Sequence, residues 1–161
     1  MAKKAAQAKY AATHKEAIKA KGVRYQPIAN QRARERRRTD PQFKISGNLR
    51  KRIGAALSGR TKGAHTEKLT GCSYDYLLKW LEYQFTDGMT FENYGVAWEI
   101  DHVKPCTSFD LTDVKQQFEC FNWKNLRPLD PSTNRSKNNQ VIEEEIAAHN
   151  IVVESWLNLQ N

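Results

Sequence analysis

The chain has 161 residues, of which 39% are hydrophobic and 27% charged, and its net charge is +8. That length fits one domain of ordinary size plus an arm. There is no internal repeat, no run near membrane-helix length and no apolar leader core, so neither a solenoid nor a membrane span is expected.

The charge is unevenly divided. Residues 1–68 hold 19 Lys and Arg against 4 Asp and Glu, whereas residues 69–161 hold 7 against 14. A basic half joined to an acidic half points to a nucleic-acid grip attached to a part that needs carboxylates. A solvated basic helix with no partner is the bland alternative.

In chain order, the Ala- and Lys-rich opening is helical by propensity up to a stop at Gly22. Val23 to Asn30 contains Pro27 and reads as extended. Gln31 to Arg38 is a dense cationic block that reads as a nuclear-localisation signal in a eukaryote or, more simply, as a phosphate-contacting face with Arg32, Arg34, Arg36, Arg37 and Arg38. Asp40 and Pro41 open a helix with Phe43, Ile45, Leu49, Ile53 and Leu57 on one side. Its Arg50, Lys51 and Arg52 lie off that stripe, as further DNA contacts or as solvated charge.

Ser58 to Thr66 is a loop by composition and the expected hinge, with His65 a surface residue. The domains are therefore drawn as 1–66, a basic helical DNA-binding arm and first helix, and 67–161. Ser73 caps a helix that turns Leu77, Trp80, Leu81 and Phe85 inward. Asp87-Gly88 is a turn. Phe91, Tyr94 and Trp98 fit core packing, with base stacking as the alternative.

Val96 to Val103 has the branching of a strand, ended by Pro105. Strict alternation puts Trp98, Ile100 and His102 on one face and Glu99 and Asp101 on the other. Adjacent Asp101 and His102 serve one site only if the strand twists or frays there. Asp113 to Phe121 reads as a short helix packing through Val114, Phe118 and Phe121. Asn125 to Leu129 is a second strand, with Pro128 requiring an edge. Ser132 or Thr133 caps a helix from about Asn134 to about Ala148. Ile151 to Leu159 forms a final helix or an oligomer contact, and His149 is a helix-end residue. Cys72, Cys106 and Cys120 are odd in number and lack paired spacing, so neither a disulfide framework nor a zinc site follows. They fit small core residues in a reduced, intracellular setting.

Asp101-His102, then Asn125-Leu126, then Asn134 with Lys137 three residues later, place an oxygen ligand beside a proton acceptor and a second oxygen ligand opening a helix. This stretch resembles the HNH (ββα-metal) nuclease motif in the variant where Asn replaces the last His. The flanking run Gly88 to Pro105 is similar to phage-borne, freestanding or homing-type HNH endonucleases. The resemblance implies an α+β fold: a ββα-metal motif in a mostly helical surround, behind the basic arm. It implies metal-dependent hydrolysis of double-stranded DNA, with 5′-phosphate and 3′-hydroxyl products, in a host cell infected by phage. Asp101 and Asn134 would hold Mg²⁺ or Mn²⁺. His102 would act as the general base, Asn125 would orient the loop and the His102 strand, and Lys137 would contact phosphate. Asn138 falls where some members place a further ligand. Asp130 and Thr133 stand where many members have zinc-binding cysteines, so no structural zinc is expected. A junction-resolving or restriction-type nuclease, or a non-catalytic DNA-binding protein, are the alternatives. A homodimer would be needed for a double-strand break in one visit.

Overall fold

The computed structural model describes residues 14–57 and 63–160, together with residues 4, 6 and 10. The chain divides into two compact units, Met1–Asp40 and Pro41–Asn161. Most of the opening segment, and residues 58–62 of the expected hinge, lie outside the described residues.

In the first unit one helix, α1, spans Lys15–Thr39 and runs through both Gly22 and Pro27. The expected stop at Gly22 and the extended stretch from Val23 to Asn30 are therefore corrected. Gly costs about 1 kcal/mol and Pro about 3 kcal/mol inside a helix. Here flanking Ala, Lys, Arg, Gln and Glu, all good helix formers, carry the helix across them. Arg36, Arg37 and Arg38 fill its last turn, where cations meet the negative end of the helix dipole. Asp40 ends the helix in an extended conformation (φ −125°, ψ 95°), the region that a following proline imposes.

The second unit is α+β and mostly helical. Helix α2 (Pro41–Ala56) buries Ile45, Leu49 and Ile53, a stripe of four-residue spacing that Leu57 extends. This helix, expected with the arm in residues 1–66, instead shares the core of the second unit. Helix α3 (Thr66–Thr70) ends at Gly71, whose φ of 71° suits a residue without Cβ. Helix α4 (Tyr74–Tyr83) is capped by Ser73, whose side chain accepts from the Tyr76 amide, and it buries Leu77, Leu78, Trp80 and Leu81.

Strands β1 (Glu99–His102) and β2 (Leu126–Leu129) form a two-stranded antiparallel sheet. Glu99 pairs with Leu129, Ile100 with Pro128, Asp101 with Arg127 and His102 with Leu126. The first strand is shorter than the Val96 to Val103 expected. Between the strands lies α5 (Val114–Cys120), capped by Asp113. It buries Gln117 and Cys120, while Val114, an expected packing residue, is exposed. Gln117 is tolerated inside because its amide donates to the Leu111 carbonyl at 3.0 Å and accepts from the Gly63 amide at 2.8 Å.

The expected single helix from Asn134 to Ala148 is instead two. Helix α6 (Pro131–Lys137) starts earlier, and Asp130, not Ser132 or Thr133, is its cap. Hydrogen bonds from Thr133 and Ser132 hold the Asp130 carboxyl down to about 2. Asn138, at φ 49°, breaks the helix. Helix α7 (Glu143–Leu159) then begins with Glu143, Glu144 and Glu145 in its first turn, where the dipole favours carboxylates. It absorbs the segment Ile151 to Leu159.

Side-chain hydrogen bonds to strand carbonyls help to hold the sheet to its helical surround. The Trp80 indole N–H donates to the Leu126 carbonyl at 2.8 Å, and the Arg52 guanidinium donates to the Ile100 carbonyl. Trp98, Ile100, Leu126 and Phe121 are completely buried around it. Among the described residues, no helix is long and apolar enough to cross a membrane.

Candidate metal and phosphate site

On β1 the side chains alternate as the pleat requires. Ile100 enters the core, while Glu99 and Asp101 turn to the face covered by α6. Asn134 and Lys137, three residues apart on that helix, share one side of it. The Asn134 amide donates to Glu99 at 3.2 Å. Lys137 Nζ donates to Asp101 Oδ1 at 3.1 Å and to the His102 carbonyl at 2.7 Å. Across the sheet Arg127 faces Asp101 directly and donates from Nε to Oδ2 at 3.0 Å, while its other arm pairs with Glu145 of α7.

Asp101 is only 5% exposed and Lys137 4%. A carboxylate this buried persists because two cations and their hydrogen bonds replace its water. Removing one partner would leave a buried unpaired charge, at a cost of about 3–5 kcal/mol. The α6 helix is thus fixed to β1 by charge as well as by packing.

His102 lies on the other face. Its ring meets Phe121 edge-on at 5.9 Å, and one ring nitrogen sits within 4.8 Å of both Cys106 Sγ and Cys120 Sγ. The two sulfurs are 3.4 Å apart, with Cys120 donating to Cys106. That hydrogen bond, helped by His102, holds the Cys106 thiol well below its usual range, while the same bond and burial push Cys120 up. Cys72 stands apart, pushed up to about 11 by burial. His102 Nε2 is buried and has no hydrogen-bond partner among the described residues. The structure therefore keeps Asp101 and His102 on opposite faces, as strict alternation implies.

Asn125 is a clamp on the segment that follows His102. Its side chain accepts from the Lys104 amide at 2.8 Å and donates to the Lys104 carbonyl at 3.0 Å and the Cys120 carbonyl at 2.9 Å. Its own carbonyl accepts from the Val103 amide at 2.9 Å. A short 3₁₀ turn, Trp123–Asn125, delivers it there.

The basic candidates separate into two groups. Arg32, Arg34, Arg36 and Arg38 are exposed on α1 and Arg37 is half-buried, with Arg36 paired to Asp40. Arg50 and Lys51 are exposed on α2, but Arg52 is half-buried and committed to the Ile100 carbonyl. Lys51 and Arg52 line a cleft of about 340 Å³ with Asn48, Tyr94, Gly95 and Glu99. Asn138 is exposed beyond the end of α6.

Five residues of this region escape the motif: Glu99, Arg127, Glu145, Cys106 and Cys120. Glu99 is recoverable from alternation alone, two positions before Asp101. Arg127 and Glu145 become visible only with the strand register and the second helix. His149 is no helix-end residue. It is buried within α7, with Nε2 2.9 Å from the Lys124 carbonyl, and burial lowers its pKa.

Two proteins of Acanthamoeba polyphaga mimivirus are similar to this chain. "Uncharacterized protein L246" is 45% identical over 122 residues, covering 76% of this chain and 54% of the relative. "Uncharacterized protein L426" is 38% identical over 128 residues, covering 78% and 55%. The chain thus spans about half the length of the curated relatives it matches. No family model and no solved structure matches it.

Proposed function

We propose that the chain is a divalent-metal-dependent endonuclease of the HNH type, hydrolysing DNA phosphodiesters at the Glu99, Asp101, Asn134 and Lys137 cluster. One observation carries this reading: residues 35 and 36 positions apart in sequence meet in pairs, Glu99 with Asn134 and Asp101 with Lys137. The hairpin of β1 and β2 followed by α6 has the order of a ββα-metal motif.

The donor set fits the cation expected. Two carboxylates and an amide on facing elements are hard oxygen ligands suited to Mg²⁺ or Mn²⁺. Lys137 and Arg127 now sit on the two Asp101 oxygens, so a bound cation would take over a place that positive charge already holds. Asp101 and Asn134 would hold the ion, with Glu99 beside Asn134. Such an ion supplies charge stabilisation to phosphate oxygens. Lys137, once drawn from Asp101, offers an ammonium to the same phosphate. Asn125 fixes the backbone after β1, and with it the end of the strand that bears His102. His102 is the residue assigned to take the proton from water, a role suited to imidazole. Its ring faces the thiols, so this role needs the end of β1 to twist or fray and turn the ring toward the Asp101 face. The exposed arginines of α1 and Arg50 and Lys51 of α2 would grip the duplex through phosphate.

Supercoiled plasmid incubated with Mg²⁺ or Mn²⁺ should be nicked, and EDTA should stop it. Asp101→Asn keeps shape while removing the charge and should abolish cleavage in protein that remains folded. His102→Ala should cost about 10²–10⁴ in rate with DNA affinity retained. Equal nicking by wild type and Asp101→Asn would refute the site.

A further inference from the structure

We propose that His102, Cys106 and Cys120 form a binding site for a thiophilic cation of the zinc class. Cys106 and Cys120 belong to the connection between β1 and β2, and His102 borders it. His102 ends β1, Cys106 opens the 3₁₀ turn Cys106–Ser108, and Cys120 closes α5. These pieces are separated by three and thirteen residues, so no paired-cysteine spacing marks them in sequence.

Geometry supports the assignment. One donor atom from each residue lies within 4.8 Å of the other two, and the sulfurs are 3.4 Å apart. Tetrahedral zinc holds sulfur at about 2.3 Å, which sets two sulfurs about 3.8 Å apart. A small opening of the pair therefore admits the ion. His102 Nε2 is buried without a partner among the described residues, and buried polar atoms seldom stay so. Two thiolates and an imidazole select zinc-like ions over magnesium, whereas the oxygen cluster on the opposite face does the reverse. Cys106 is half-buried, which leaves a way in from solvent.

An ion there would staple the strand end, the turn and α5 together. It would also hold the His102 ring on the thiol side of β1. The site itself does not depend on the nuclease reading, but its consequence for cleavage does. If His102 is the base, zinc should suppress Mg²⁺-supported nicking.

The reduced, metal-free 161-residue chain titrated with Co²⁺ should develop sulfur-to-cobalt charge transfer and tetrahedral d–d bands, saturating at one equivalent and lost on adding Zn²⁺. The charge-transfer band should be absent from Cys106→Ser and Cys120→Ser and retained in Cys72→Ser. No band in wild type, or a band kept by both Cys106→Ser and Cys120→Ser, overturns the proposal. Cys120→Ser alters a fully buried position, so a second measurement uses wild type only. Zn²⁺ at about ten times its dissociation constant should slow alkylation of Cys106 and Cys120 about tenfold and leave Cys72 unchanged. Equal rates with and without Zn²⁺ overturn it as well. Neither readout involves DNA, so failure here is distinct from failure of nicking.

Discussion

His149 shows how burial of one ring sets a pH limit on the fold. Its Nε2–H donates to the Lys124 carbonyl, and its ring meets Trp80 edge-on at 5.6 Å. Burial is the largest influence on its pKa and lowers it, outweighing the opposing hydrogen bond to Lys124. The folded state therefore prefers the neutral ring, whereas the unfolded chain takes a proton near about 6.5. As pH falls through that value the unfolded state binds the proton first, so stability drops until the lower folded pKa is reached. Above it this contribution is fully present. Thermal unfolding should thus shift downward between about pH 7.5 and pH 5.5. His149→Gln, which keeps a donor for Lys124, should remove that part of the slope. An unchanged pH profile in the variant would assign the slope elsewhere.

At the level of elements, the connection between the strands depends on Asn125. Its side chain makes three hydrogen bonds across the segment after β1. Asn125→Ala would leave the Cys120 carbonyl without this partner and pass the exposed Lys104 groups to water, costing about 1–3 kcal/mol. Urea unfolding should show the loss, and cleavage should fall more than DNA affinity because the end of β1 is loosened. The two strands, the capped α4 and the stripe of α2 were legible in the sequence, since each has its own period or cap. The break at Asn138 was not, because an asparagine at positive φ leaves no mark on hydrophobic periodicity. The Cys106 and Cys120 pair was equally hidden: it is made by folding α5 back, not by spacing. Asp101, Asn134 and Lys137 were readable as types in order and Glu99 from alternation, but the partner Arg127 depends on register.

For the whole molecule, the division at Asp40 and Pro41 separates the arginine-rich helix from the part that carries the carboxylates. Among the described residues, the buried Trp, Leu and Ile side chains of the core all lie within residues 41–161, so this part should fold without residues 1–40. Deleting residues 1–40 should weaken DNA binding, and the log–log salt slope should flatten by about 0.9 for each phosphate that the arm no longer neutralises. Cleavage at low salt should persist. A truncated protein that binds as tightly with the same slope would remove the arm from the DNA grip.

The burial of the tryptophans has a spectroscopic consequence. All four indoles, Trp80, Trp98, Trp123 and Trp156, are buried, so their emission should be blue-shifted in the folded chain and move red on unfolding. Trp80 is hydrogen-bonded to the strand that faces Asp101 and touches the ring of His149. An imidazolium quenches a neighbouring indole, so acid should dim the native signal before the colour changes. The protein thus carries an intrinsic fluorophore at the joint between its helices and its hairpin, one that reports protonation by intensity and unfolding by wavelength.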